Sequence, residues 1–246
     1  MKLTRILFLM SICAISANQV LAQTAAANLN LWWKLNEPAG ATTITDYSTG
    51  GKLVGIAFAG ASISSGKTDD IKGNVASFNK MANAIVPRNP TLNRLIGVVD
   101  RTYSFWAKKE VAQGAVDQVA LFGQLGLPGG GGGMLVITPG NGKSMVIMCG
   151  GESKNIYTNP SENTNNEGVW HHYVITSTDG TTGGLKCYVD NVEWTASVKN
   201  SVALQTTNVI RVGHSYIGSI ADFRLYNKAL SQDEIKAVYN EGLSRK

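Results

Sequence analysis

The chain is predicted to be all-β, a sandwich or barrel of short antiparallel strands closed by one short C-terminal helix. Three observations predict it. Near the N-terminus, "LNLWWKL" alternates with period two, Leu29, Leu31, Trp33 and Leu35 on one face and Asn30, Trp32 and Lys34 on the other. A long series of runs rich in Val, Ile, Thr, Tyr, Phe and Trp follows, most of them separated by Gly, Asn, Asp or Pro. One segment alone, at the C-terminal end, carries helix-start signals and a helical apolar stripe.

The elements follow in order. Lys2 and Arg5 precede an apolar run from Ile6 to Ala17, and Val20-Leu21-Ala22 offers small residues for cleavage. This predicts a secretory signal peptide over residues 1–22, with the exported chain beginning at Gln23. A lipidated Cys13 is the rival reading; the bulky Ile12 before it argues against that. Residues 23–246 show no break in composition and are read as a single domain. After "LNLWWKL" come the strand candidates "VASF", "AIVP", "TYSFWAK", "VALFGQ", "MLVIT", "SMVIMC", "HHYVITS", "LKCYVD", "VEWTAS", "NVIRVG" and "IADFRLY". Many short strands with such turns indicate a sandwich or barrel. In "LSQDEIKAVYNEG", Ser231 is the N-cap and Glu234, three residues on, completes a capping box, with Leu230 and Ile235 as a hydrophobic staple. Ile235, Val238 and Tyr239 form the apolar stripe, Gly242 is placed to end the helix, and the helix is expected to plug one edge or end of the sandwich.

Several function classes are excluded. Gly142-Lys143-Ser144 ends like a phosphate-binding loop, but the first glycine of that motif belongs five residues earlier, where Ile137 stands. The segment that follows is a β-branched strand, so "MLVIT-PGNGK-SMVIMC" reads as a hairpin and no nucleotide is expected. The formal charge of +5 is mild, falls once Lys2 and Arg5 are removed, and forms no basic patch, so no nucleic acid is expected. The apolar run near the N-terminus is too short to span a bilayer, and no membrane span is expected after it. Cys149 and Cys187 sit in apolar strand-like runs. Export permits a disulfide between them; two buried thiols are the equal alternative.

The order of motifs resembles a known family. "LWWKLNE" followed by "DYSTGG", then "GNVASFN", "TYSFWAK", "GVWHHYVITSTDG" with "LKCYVDN", and above all "GSIADFRLYNKALSQDEIKAVYNEG" are similar to the laminin-G-like domains of the concanavalin A-like lectin/glucanase superfamily. The resemblance runs from Leu29 to Gly242. It implies a two-sheet antiparallel jelly-roll sandwich with one short C-terminal helix, either a recognition module or a polysaccharide-degrading enzyme. It also implies Ca2+ as the cofactor to test, with Asp46, Ser48 and Asp222 as ligands. The chain departs from the pattern at Asn36, Thr49, Asn191 and Ala221, which removes neighbours a calcium ion would use. The local alternatives are an Asx-turn for Asp46 and an arginine pair for Asp222.

For catalysis, glucanases of this fold carry Glu-x-Asp-x-x-Glu on one strand. The nearest segment here is "YVDNVE", in which Tyr188 stands at the place of the nucleophile and Asp190-Asn191 reads as a turn that moves Glu193 to the next strand. His171, His172 and His214 form no recognisable triad. The expectation is a secreted, non-catalytic recognition or adhesion module whose partner is a glycan or a cell-surface protein, extracellular or periplasmic. The alternative is an exported glycoside hydrolase or lyase. A sugar needs aromatic faces beside polar groups. Trp33, Trp106 and Trp170 lie in core patterns. The ligand-contact candidates are therefore Trp32, out of phase with the apolar face, Trp194, after a turn, Tyr157, in an Asn-rich loop, and His214 with Tyr216 in "GHSYIG".

Overall fold

The alternation of the first strand is realised in space: Leu31 and Trp33 are fully buried, while Asn30 and Trp32 are half-buried. The computed structural model describes residues 25–49, 53–58, 61–65, 73–79, 84–87, 100–109, 119–124, 134–138, 144–149, 153–158, 168–178, 184–198, 210–213 and 216–243. The expected signal segment lies outside them, as do His214 and the side chains of Cys149 and Tyr157. Among the described residues no helix is long and apolar enough to cross a membrane.

Two antiparallel sheets make up the structure. The first contains β1 (Leu29–Trp33), β4 (Ser62–Ser65), β5 (Asn74–Asn79), β7 (Arg101–Lys109), β12 (Trp170–Ser177), β13 (Leu185–Val189), β14 (Val192–Glu193) and β17 (Ile217–Tyr226). Its order is β14-β13-β12-β7-β17-β5-β4, with β1 also paired to β17. The second contains β2 (Thr43–Ile44), β3 (Gly55–Phe58), β6 (Ala84–Pro87), β8 (Val119–Gln124), β9 (Met134–Thr138), β10 (Ser144–Cys149), β11 (Ser153–Thr158), β15 (Thr195–Val198) and β16 (Ile210–Val212), in the order β15-β11-β10-β9-β8-β16-β6-β3-β2. The segment read as a nucleotide-loop mimic joins β9 to β10, which pair antiparallel as the hairpin reading requires.

The core lies between the sheets. Tyr103, Phe105, Tyr173, Ile175, Cys187, Phe223 and Leu225 of the first sheet meet Ile44, Ile85, Ile210 and Val212 of the second, all within one buried cluster. Phe105 stacks on Tyr173 and Phe223 at centroid distances of 5.6 and 6.0 Å, an offset arrangement that adds to the area it buries. Burial pushes the Cys187 thiol well above its ordinary range, so it sits in the core as a small hydrophobe.

Helix α1 (Gln232–Leu243) begins as its sequence predicts. The Ser231 N–H donates to Glu234 Oε2 at 2.9 Å, and the Glu234 N–H donates to Ser231 Oγ at 3.4 Å, closing the capping box. Leu230 and Ile235 share a buried cluster, as the staple requires. Two expectations are corrected. The helix does not plug an edge. It lies across the outer face of the first sheet, where Ile235 and Val238 pack with Val174, Tyr188 and Tyr226, and Tyr239 packs on Trp106. Those outward residues are themselves apolar or aromatic, so this face needs a cover. Gly242 does not end the helix but sits inside its last turn. A Cβ there would come within 2.3 Å of Trp106 Nε1, so the glycine is required for close approach to the sheet. Ser231→Ala is expected to cost about 1 kcal/mol, the usual loss of an N-cap; thermal unfolding checks it.

Candidate functional site

Side chains of consecutive strand residues alternate between faces, and on the outer face of the first sheet this collects a polar group. In the observed register Thr176 of β12 faces Lys186 of β13, and Tyr188 of β13 faces Glu193 of β14. The turn between β13 and β14 places Asp190 at φ 49° and Asn191 at φ 65°, the pair of positive values a two-residue hairpin turn needs and Asn and Asp tolerate. It brings Glu193 back beside Tyr188, on the next strand as predicted.

The approach to α1 forms the wall. Thr102 Oγ1 donates to the Lys228 carbonyl at 2.7 Å and accepts from the Leu230 N–H at 2.9 Å, tying this segment to β7. Lys228 Nζ also meets Glu234 at 2.7 Å. Gln232 Nε2 donates to the carbonyl and side-chain oxygens of Asn191 at 3.0 and 2.8 Å, tying the start of α1 to the hairpin turn. Between wall and sheet lies an open groove of about 290 Å³, lined among others by Thr176, Thr178, Lys186, Tyr188, Glu193 and Gln232.

The groove has a defined electrostatic character. Lys186 Nζ stands 3.3 Å from both oxygens of Glu193, and both side chains are about half exposed. Burial raises the Tyr188 phenol above its ordinary range, and the neighbouring Glu193, which the phenol hydrogen-bonds, raises it further. Tyr188 therefore stays a neutral donor, its ring buried with Val174, Ile235 and Val238 beneath α1. Among the described lining residues Glu193 is the one carboxylate.

A second constellation gathers predicted residues around Trp32. The Asp46 carboxylate accepts the N–H groups of Trp32, Ser48 and Leu53 at 3.0, 2.9 and 3.1 Å. Asp222 accepts Trp32 Nε1 at 2.6 Å and forms a two-point pair with Arg224 at 3.1 and 2.8 Å. A bulge in β17 between Ala221 and Arg224, with Asp222 at φ 54°, aims that carboxylate outward. Lys34 Nζ and the Arg224 guanidinium lie over the Trp32 ring at 4.6 and 4.5 Å, and Lys34 also lies over Tyr47 at 4.1 Å.

This arrangement does not fit calcium. Such an ion takes six to eight oxygen ligands. Asp46 is engaged in an Asx-turn and strand tie, Ser48 Oγ donates to the Asn30 carbonyl, and Asp222 neutralises an arginine. Among the described residues no group of three or more His, Cys, Asp or Glu side chains converges. Neither excess calcium nor EDTA is expected to move the melting temperature, which differential scanning calorimetry checks.

The aromatic candidates are also re-sorted. Trp194, expected at the surface, is buried in the core and its backbone N–H donates to the Cys187 carbonyl at 2.8 Å. "VEWTAS" is two strands: β14 belongs to the first sheet and β15 to the second, so Trp194 stands where the chain crosses between them. Tyr216 is buried too, packed against Phe78 at 6.4 Å. Tyr157 lies in β11 rather than in a loop. Trp32 is half-buried under cations and is not a bare aromatic platform. Trp33, Trp106 and Trp170 are buried as expected. Sequence reasoning missed Thr176, Thr178, Lys186 and Gln232. The outward phase of "LKCYVD", with Lys186 and Tyr188 on the face opposite Cys187, was the available signal.

His172 has a serine partner but no access. Its Nε2 lies 2.8 Å from Ser104 Oγ, both residues are buried, and its ring packs on Trp106 and Tyr239 at 5.1 and 5.7 Å beneath α1. His171 instead meets Asp190, Nδ1 to Oδ2, at 2.6 Å.

Two facing antiparallel sheets in this arrangement define a jelly-roll domain of the lectin-like kind. A family model of the concanavalin A-like lectin/glucanases superfamily matches residues 90–236, more than half of the chain, and the chain belongs to that superfamily. Solved structures share the fold at low identity. The binding domain of Paraclostridial Mosquitocidal Protein 1 superposes with TM-score 0.65 at 16% identity, over 88% of this chain and 53% of that one. Domain 4 of AbnA, an extracellular arabinanase from Geobacillus stearothermophilus solved with arabinotriose, gives 0.61 at 16%, over 86% and 98%. Trypanosoma rangeli sialidase, solved with sialic acid, gives 0.60 at 14%, over 87% and 33%. The chain thus spans about half the length of the binding domains it matches. No curated protein matches it by sequence.

Proposed function

We propose that the protein is an exported, non-catalytic recognition module for a glycan, and that the groove beside α1 is its binding site. The observation that carries the reading is the groove's described lining: the Thr178 hydroxyl, the Lys186 ammonium, the Glu193 carboxylate and the Gln232 amide, all on exposed residues, beside the buried Thr176 and Tyr188. A sugar presents hydroxyls that both donate and accept, and this cluster of exposed side-chain donors and acceptors is complementary to it. Several structural neighbours are binding domains or lectin-like parts of glycosidases, which supports the reading at the level of fold. A single carboxylate among the described lining residues, where glycoside hydrolysis commonly uses two, supports binding without hydrolysis. Export rests on the N-terminal segment of the sequence.

A glycan array probed with the purified protein tests recognition, and reducing-sugar release from the bound polymers tests catalysis. Binding without release is expected. Release that disappears in Glu193→Gln would replace this reading with the glycosidase one, and a cell-surface protein captured in preference to any glycan would replace the ligand class.

A further inference from the structure

Resting on that reading, we infer that the groove selects neutral sugars, and that Lys186 and Glu193 together hold a vicinal diol of the ligand. The juxtaposition is fixed by the sheet. Lys186 and Tyr188 project from the same face of β13, and Glu193 stands opposite Tyr188 on β14. The Tyr188 phenol bonds Glu193, and the Lys186 ammonium lies 3.3 Å from both carboxylate oxygens. One donor and one acceptor therefore sit within a single hydrogen-bond length of each other on the exposed side of the groove.

The pair is built to be shared rather than to stabilise the fold. Lys186 is 50% and Glu193 46% exposed, and exposed ion pairs of this kind contribute little to stability because water screens them. A ligand therefore displaces little when it enters. Adjacent hydroxyls of a pyranose or furanose match the spacing in kind: one accepts from the ammonium, the next donates to the carboxylate, and each can also bond the other. Thr178, exposed just after β12, adds a hydroxyl partner.

The same pair sets the selectivity. Among the described residues the lining carries one positive and one negative side chain, Lys186 and Glu193. A charged sugar that places its diol on this pair leaves its own charge beside both members, so a like-charge contact with one accompanies any attraction to the other. A neutral hexose or pentose meets no such contact.

Isothermal titration calorimetry with neutral tetrasaccharides of glucose, xylose and arabinose, with tetragalacturonate and with chitosan tetramer decides it. At least one neutral oligomer is expected to bind about tenfold or more tightly than the charged ones. Glu193→Gln and Lys186→Gln are each expected to weaken that neutral oligomer by about tenfold, with Glu193→Gln also narrowing the gap to galacturonate. Both sites are exposed, so melting temperatures should stay near that of the parent. Charged oligomers binding as tightly as neutral ones would overturn the inference. So would neutral binding that survives both substitutions, which would put the glycan site elsewhere while leaving the glycan reading intact. Failure of every sugar class to bind, here and on the array, would take down that reading as well.

Discussion

Asp222→Ala is expected to destabilise the protein by about 3–5 kcal/mol, the range for removing one partner of a buried ion pair. Arg224 and Asp222 have side chains only 4% and 6% exposed and meet in two hydrogen bonds. Burial works against the guanidinium charge, and Asp222 is the strongest influence holding it. The second carboxylate on Arg224, Glu241, is 2.7 Å away but 41% exposed, so it compensates only in part. The substitution also removes the acceptor for Trp32 Nε1, and it places alanine at φ 54°, where Asp and Asn are better tolerated. Urea unfolding gives the loss directly. Asp222→Asn, which keeps the backbone preference, should lose less. Asp222→Ala combined with Arg224→Met should recover part of the loss, because an apolar replacement of a buried pair leaves no orphan charge. A single variant within about 0.5 kcal/mol of the parent, the scatter of ordinary surface changes, would show that Arg224 is not held as described.

The same residue shows how far sequence reasoning reaches. The period-two pattern of "LNLWWKL" located β1 and sorted Leu31 and Trp33 to the core face, because burial on one side of a strand leaves a direct mark on composition; Leu29, read onto the same face, lies in the outer cluster with Trp32, because the strand shifts register after it. The capping box of α1 was legible for a similar reason, since its partners are three residues apart. Trp194 was not. Its burial depends on the chain leaving one sheet for the other within "VEWTAS", and nothing local to those residues states which sheet either half will join. Gly242 carried a true signal with the wrong cause: a glycine near a helix end reads as a stop, while here it clears Trp106, far away in sequence. The groove lies between these cases. Tyr188 and Glu193 were visible as a pair across a predicted turn and were weighed for catalysis, but the wall that makes them a site comes from α1, whose placement on the outer face no local pattern specified. Asp46 and Asp222 were legible as acids at family positions, and the local alternatives, an Asx-turn and an arginine pair, are the roles they fill; the bond from Trp32 to Asp222 joins residues far apart in sequence and left no local mark.

Acidification is expected to weaken the fold between about pH 6.5 and pH 3 through His172. The ring lies buried beneath α1, and burial, the largest influence, lowers its pKa to about 3 against an ordinary 6.5; Asp222 and Asp190 pull it up, while Arg224 pushes it down. The folded state therefore keeps a neutral imidazole where the unfolded chain binds a proton. Unfolding takes up that proton below pH 6.5, so stability is complete above this value and falls as pH drops towards the folded-state pKa. The slope is about 1.4 kcal/mol per pH unit where one proton separates the states, giving a loss on the order of 3 kcal/mol between pH 6.5 and pH 4. Glu234 acts in a lower window. Burial raises its pKa, but the bonds from Lys228 and Ser231 outweigh this and leave it below 4.5, so its contribution is present above that value and disappears as pH falls through the folded-state pKa. The two are separable. His172→Gln, which can retain the bond to Ser104, should be less stable at pH 7 yet nearly flat from pH 7 to pH 5, while the parent declines. Urea unfolding at half-unit pH steps measures both curves. A parent curve as flat as that of the variant over this window would mean that the imidazole can take its proton without disturbing the helix above it.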